Sequence, residues 1–149
     1  MQIVGRKEEI KELQRIYDSA SSEFVVVYGR RRVEKTYLVR EFFQDNFVYY
    51  ATGVARGNRK EQLAHFHNRL IRYGSPDEQA VPSNWFEAFE RLETLVGKSK
   101  KKRKVIFLDE LPWMDTQKSE FLKALELFWN EWASARNDIV LVVCGSAAS

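Results

Sequence analysis

The residues best placed to do chemistry begin at Gly29-Arg-Arg-Arg-Val-Glu-Lys-Thr36. Backbone N–H groups at the start of a helix are left unpaired and the helix dipole favours negative charge there, so a tight turn entering a helix is a ready anion site. In the pattern G-x-x-x-x-G-K-[ST], the lysine, here Lys35, reaches the β- and γ-phosphates of a nucleotide, and the threonine, here Thr36, offers its hydroxyl to Mg²⁺. The second glycine of that pattern, which lets backbone approach phosphate unobstructed, is replaced by Glu34. A carboxylate roughly 5 Å from a phosphate charge, at an effective dielectric near 20, costs about 3 kcal/mol. That is on the order of a hundredfold in affinity. Arg30, Arg31 and Arg32 offset part of it, so the turn reads as a weakened phosphate site, with a plain basic surface turn as the alternative.

A second group closes Val105-Ile-Phe-Leu-Asp-Glu110. Four apolar residues ending in two carboxylates describe a buried strand that delivers Asp109 and Glu110 to the carboxyl edge of a parallel sheet, where open α/β folds bind ligands. Asp109 suits a Mg²⁺ site, through the ion's water, and Glu110 is placed to polarise an attacking water. Ser146, after the apolar run Ile139 to Cys144, either senses the γ-phosphate or caps a turn. His65 and His67 lie two apart on an expected helix, about 200° around its axis, and cannot chelate one ion together.

Around these groups the chain alternates strand and helix. Ile10, Leu13, Ile16 and Tyr17 recur at helical spacing. Phe24 to Tyr28 reads as a strand buried on both faces, and a helix carrying Tyr37, Leu38, Val39 and Phe42 should start near Lys35. Phe47 to Ala51 is a second strand, and the stretch from Gly53 to Lys60 reads as irregular. Helices follow over about 60 to 73, and from Asn84 with Glu87 at capping-box spacing until Gly97. Leu111-Pro-Trp-Met114 should block immediate helix formation, after which Asp115 or Thr116 caps a long helix to about Arg136. Trp85, Trp113, Trp129 and Trp132 read as core aromatics, with a base-stacking platform as the lesser alternative. The run 98–104, Lys-Ser-Lys-Lys-Lys-Arg-Lys, is either a phosphate-backbone contact or a solvated entry to a strand, and its place between a helix and a strand favours the second.

Length and composition set the class. The 149 residues suit one domain, and 44% hydrophobic with 30% charged residues and a net charge of +3 exclude a disordered or uniformly nucleic-acid-like chain. The single cysteine, Cys144, excludes an internal disulfide and a cysteine-based metal site. No apolar run approaches the roughly 20 residues that span a bilayer, and the first residues lack a signal peptide's progression, so a cytoplasmic protein with no membrane contact is expected.

Gly29 to Thr36, Leu108-Asp-Glu-Leu-Pro-Trp113, Val143-Cys-Gly-Ser146 and the amino-terminal Val4-Gly5-Arg6 together resemble the prokaryotic AAA+-related ATPases of the signal-transduction (STAND) type. More narrowly, the chain is similar to the archaeal-type ATPase family, whose loop usually reads Gly-Arg-Arg-Arg-x-Gly-Lys-Thr. The resemblance implies a three-layer α/β/α phosphate-loop fold with a parallel sheet. Its sensor strand, Ile139 to Cys144, would lie between the loop strand and the Asp109 strand, with Phe47 to Ala51 at the outer edge. It implies ATP and Mg²⁺ as ligands and Val4, Gly5 and Arg6 near adenine. It places Gly29 through Tyr37, including Val33, around the phosphates, with Lys35 and Thr36 as phosphate and metal residues. Asp109 and Glu110 become the Walker B pair, Glu110 and Lys35 catalytic, and Ser146 the sensor. Residues 1–149 would be one ATPase domain, the amino-terminal part of a longer protein whose fifth strand, helical lid and carboxyl-terminal domain follow.

Three functions remain open at this point: the ATP-binding core of a nucleotide-dependent switch, a degenerate non-hydrolysing scaffold disabled by Glu34, and a nucleic-acid-binding module using its basic loops. Without a fifth strand the loop strand keeps one unpaired side, so self-association there, or coverage by the amino-terminal helix, is expected.

Overall fold

A computed structural model describes residues 7–28 and 32–145, and the side chains of all of these except Arg32 and Val33. Among these residues four strands, β1 (Glu23–Val27), β2 (Tyr49–Thr52), β3 (Lys104–Asp109) and β4 (Ile139–Cys144), form one sheet in the order β1-β4-β3-β2. Every pair is parallel, with Val27 beside Cys144, Leu108 beside Val143 and Thr52 beside Asp109. The carboxyl ends of all four strands therefore share one edge. The order is the one the resemblance implied, with the sensor strand inside and β2 outermost.

Period-two alternation splits the sheet's side chains between two cores. Ile106, Leu108, Ile139, Leu141 and Val143 face α3 (Arg59–Arg72), α4 (Trp85–Gly97), α6 (Phe121–Leu127) and a π-helical turn (Phe128–Ala133). Val105, Phe107, Val140, Val142 and Cys144 face α1 (Lys7–Asp18) and α2 (Arg32–Phe42). A sheet carrying helices on both sides buries its central strands completely, which is why β3 and β4 are unbroken apolar runs. The larger core is aromatic, with Trp85 edge-on to Phe121 at 4.8 Å and to Phe66 at 5.2 Å.

The loop strand departs from its expected burial. Val25 and Val27 pack against the core that holds Leu13 and Ile16 of α1, but Phe24 and Val26 are 37% and 47% exposed. An edge strand with a helix over one face keeps the other face open, and its β-branched run looks the same as that of a buried strand. Phe24 meets Trp129 edge-on at 5.2 Å without being covered. Helix α1 thus covers a face of β1, while the outer edge pairs with no strand among the described residues.

Two helix boundaries also differ, and a third stands where expected with one changed cap partner. The stretch read as irregular contains a complete capping box, in which Asn58 Oδ1 accepts from the Glu61 N–H and Glu61 Oε1 accepts from the Asn58 N–H, each at 2.8 Å. At α4, Asn84 accepts from the Glu87 N–H as its spacing indicated, but Glu87 turns to the Ser83 N–H instead. The long helix after β3 starts only at Phe121, behind a left-handed Glu120 rather than behind Asp115 or Thr116, and loosens into the π turn at Phe128.

Two members of the basic run serve the fold. Arg103 donates to the carbonyls of Asn137 and Ile16 at 2.8 and 2.9 Å, fastening the end of α1 to the start of the sheet. Lys104, its side chain 8% exposed, reaches Asp138 Oδ2 at 2.9 Å, where Arg136 also donates at 2.8 Å. The Arg136 guanidinium and then Lys104 hold the Asp138 carboxyl at about 2, below its ordinary 3.8, against the opposing effect of burial. A carboxyl whose value is depressed in the folded state stabilises above its unfolded value and ceases to do so as pH falls through the folded one. Asp138 therefore contributes about 2 kcal/mol at neutral pH that disappears between pH 3.8 and about 2. Asp138→Asn should cost about 3 kcal/mol in urea unfolding at pH 7, because it leaves Lys104 without its countercharge. It should also flatten the acid limb, and an unchanged pH slope would contradict the assignment.

Candidate functional site

Helix α2 begins at Arg32, and the ends of β3 and β4 bring Asp109 and Cys144 to the same edge of the sheet. There the two sequence groups meet. Thr36 Oγ1, on the first turns of α2, donates to Asp109 Oδ2 at 2.5 Å across 73 residues of chain. Asp109 is 4% exposed, and its other oxygen accepts from the Glu110 N–H at 2.8 Å. Buried carboxylates persist when such donors replace water.

The Cys144 thiol completes the surroundings of Asp109. Burial, reinforced by the charge of Asp109 and a hydrogen bond to it, pushes the thiol up to about 12. Since the thiolate is the reactive form, Cys144 in the native protein should resist thiol reagents at pH 8 and react only on unfolding. Stoichiometric labelling without denaturant would show that this edge opens.

Glu110 follows with φ 52 and ψ 42, a left-handed conformation that side-chain-bearing residues seldom adopt and that collects at functional sites. That turn redirects the chain, so that Leu111–Met114 forms a short helix, α5, rather than the helix-free turn expected from Pro112. Proline is tolerated in a first turn, where its missing N–H has no partner to lose. Trp113, read as a core aromatic, is instead half-buried beside Glu110. Both line a cleft of about 720 Å³ together with Thr36, Tyr37 and Gly53.

Lys35 lies on the same turn as Thr36 and its side chain is 14% exposed. Its Nζ is 3.4 Å from Glu9 Oε2 of α1. Glu34 sits in the first turn of α2. Val4, Gly5, Arg6, Gly29, Arg30, Arg31 and Ser146 lie outside the described residues, and Arg32 and Val33 are placed by backbone alone. Sequence reasoning missed Gly53, where an added Cβ would stand 2.5 Å from the Glu110 carbonyl oxygen. The only available signal was a glycine directly following a strand. It also missed Glu9, which appeared as one more polar residue on an amphipathic helix.

The donor set suits a magnesium ion held with a nucleotide. A hydroxyl that gives its proton to a carboxylate keeps lone pairs for a hard cation, and Asp109 adds negative charge beside it. Among the described residues no cluster of three or more His, Cys, Asp or Glu could hold a metal alone. A Mg²⁺ ion commonly takes one or two protein oxygens and completes its shell from phosphates and water.

A parallel α/β sheet with a helix opening after its first strand, and a threonine on that helix bonded to a carboxylate at the end of a neighbouring strand, defines the phosphate-loop class of nucleotide-binding domains. Within that class the chain belongs to the family described as an ATPase domain predominantly from Archaea, whose model matches residues 3–149. An uncharacterized protein of Methanocaldococcus jannaschii is 34% identical over 109 residues, which cover 73% of this chain and 22% of that protein. An uncharacterized ATP-binding protein of the same organism is 37% identical over 49 residues, 33% of this chain and 83% of that one. Among solved structures, the Walker-type ATPase of Pyrococcus abyssi superposes with a TM-score of 0.59 at 16% identity, over 94% of this chain and 44% of that one. The ORC2 protein of Aeropyrum pernix, in ADPNP and ADP complexes, gives 0.63 at 19% identity, over 97% and 42%. These two likenesses bear on the fold. The chain spans less than half the length of either structure. Among the described residues no helix is long and apolar enough to cross a membrane.

Proposed function

We propose that this domain is the ATP-binding core of a nucleotide-dependent switch of the AAA+-related STAND type, with residues 1–149 as one unit and hydrolysis coupled to a further domain. Lys35 binds the β- and γ-phosphates. Thr36 and Asp109 hold Mg²⁺, Asp109 through water, and Glu110 orients the attacking water from the wall of the cleft. The metal, when bound, supplies neutralisation of charge on the phosphate oxygens. Val4 to Arg6 lie near adenine, Gly29 to Tyr37 surround the phosphates, and Ser146 senses the terminal one. The observation that carries this reading is the Thr36–Asp109 hydrogen bond, which joins the two halves of a metal–phosphate site from separate elements.

Calorimetric titration with ATP and Mg²⁺ tests it. Lys35→Ala should weaken binding severely, and Glu110→Gln should keep binding while turnover falls. Binding indifferent to Lys35 would remove the reading.

A second reading, a scaffold that has lost its ligand, is favoured by the carboxylate of Glu34 in the first turn of α2. Under it, the unaltered chain binds no ATP and Glu34→Gly does. Nucleic-acid contact has less to support it, since Arg103 and Lys104 are engaged within the fold. The open edge of β1, with Phe24 and Val26 exposed beside it, is the surface through which copies of this chain would associate.

A further inference from the structure

We propose that Glu9 is a built-in competitor of phosphate for Lys35, so that ligand enters by displacing an internal ion pair rather than by meeting a waiting lysine. This rests on the nucleotide-binding reading above.

The pair is long-range in sequence and short in space. Glu9 Oε2 lies 3.4 Å from Lys35 Nζ, across 26 residues, and joins the first turn of α1 to the first turns of α2. Lys35 is mostly shielded, its side chain 14% exposed against 42% for Glu9. Water therefore screens the ammonium less than the carboxylate, and the attraction exceeds that of a surface pair. Glu9 cannot drift far, because Leu13 and Ile16, one and two turns further along α1, are buried against the sheet.

An arriving phosphate brings at least one more negative charge to Lys35. With Glu9 in place, that phosphate gains the lysine but meets the carboxylate beside it, in addition to Glu34, the residue before Lys35 in the first turn of α2. Binding therefore requires Glu9 to give way or to accept the repulsion. Because Glu9 is carried on α1, the same displacement reports occupancy of the loop to the amino-terminal helix. A bland alternative exists in which Glu9, an acidic residue in the first turn, only complements its own helix dipole. The alternatives differ in what they predict for affinity. A dipole role makes Glu9→Gln slightly less stable and leaves affinity alone, whereas competition makes the same change a gain in affinity.

The test is calorimetric titration of ATP with Mg²⁺ into four forms, all carrying Glu34→Gly so that binding is in range: the parent, Glu9→Gln, Lys35→Ala, and the pair together. Melting temperatures are recorded without ligand. Competition predicts that Glu9→Gln tightens binding about tenfold, the attenuated effect of one half-exposed charge. It also predicts that the gain vanishes when Lys35 is absent. Equal or weaker binding by Glu9→Gln, with Lys35→Ala still deleterious, overturns the proposal and spares the nucleotide reading. The same gain with Lys35 removed also overturns it, since the carboxylate would then act on the ligand without the lysine. Binding that ignores Lys35, or is absent in all four forms, overturns both.

Discussion

Replacing Glu34 with glycine should strengthen binding of ATP with Mg²⁺ by on the order of a hundredfold, the equivalent of about 3 kcal/mol of relieved charge repulsion. The same substitution should weaken the fold, and the opposite signs make the result diagnostic. Glu34 is the third residue of α2, in the first turn, where a carboxylate complements the helix dipole by roughly 0.5 kcal/mol. Glycine adds a propensity cost of about 1 kcal/mol. The variant should therefore melt several degrees lower in the absence of ligand and yet bind more tightly. Glu34→Ala separates the two contributions of the side chain. It removes the charge at little cost to the helix but keeps a Cβ where the usual motif has none. If Ala recovers most of the affinity, charge was the obstacle. If only Gly recovers it, the phosphate needs close approach of bare backbone. Affinity unchanged in both variants would mean that Glu34 does not face the ligand, and the account of a weakened loop would fail.

The parts of this architecture that were legible in the sequence share a physical origin. Strands β3 and β4 are buried on both faces, so each appears as an unbroken apolar run with polar residues at its ends, and Asp109 stands at such an end. Helices α1 and α4 showed their stripes because one face of each is buried. Thr36 and Asp109 could be paired in advance because each closes its own motif, and a parallel sheet puts strand ends on one edge. What was not legible depends on neighbours far along the chain. The β-branched run of β1 carries no mark of its edge position, so the exposure of Phe24 and Val26 could not be read from it. Pro112 speaks against a helix only in a helix interior, and the left-handed turn at Glu110 that makes it a first-turn residue has no sequence signature. Glu9 and Lys35 meet only because α1 and α2 lie on the same face of the sheet.

Gly53 is the strongest case of a constraint set from a distance, and Gly53→Ala should be the most damaging single methyl group at this site. A Cβ there would lie 2.5 Å from the Glu110 carbonyl oxygen, 2.8 Å from Trp113 Cβ and 3.1 Å from the Met114 nitrogen. Two of these are backbone atoms and the third is the root of a large side chain, so no rotamer change relieves the overlap. Retreat of the β2 end is opposed by its own ladder, since the Gly53 N–H donates to the Asp109 carbonyl at 2.9 Å, next to the Thr52–Asp109 pair. Overpacking of this kind costs roughly 1 to 3 kcal/mol. The movement must fall on the Glu110 turn, whose left-handed backbone already holds an unfavourable conformation. Thr36 bonds the Asp109 side chain rather than its backbone and should keep that hydrogen bond. Gly53→Ala should thus lower the unfolding free energy by about 2 kcal/mol and, under the proposed function, reduce ATP turnover through Glu110 more than it reduces ATP affinity. Gly97→Ala is the matched control. No atom lies within 4 Å of its added Cβ, and at the last residue of α4 the change should be neutral or slightly stabilising. If Gly53→Ala unfolded in urea at the same midpoint as the Gly97 control, β2 would not be packed against the Glu110 turn, and the cleft's wall would have to be drawn differently.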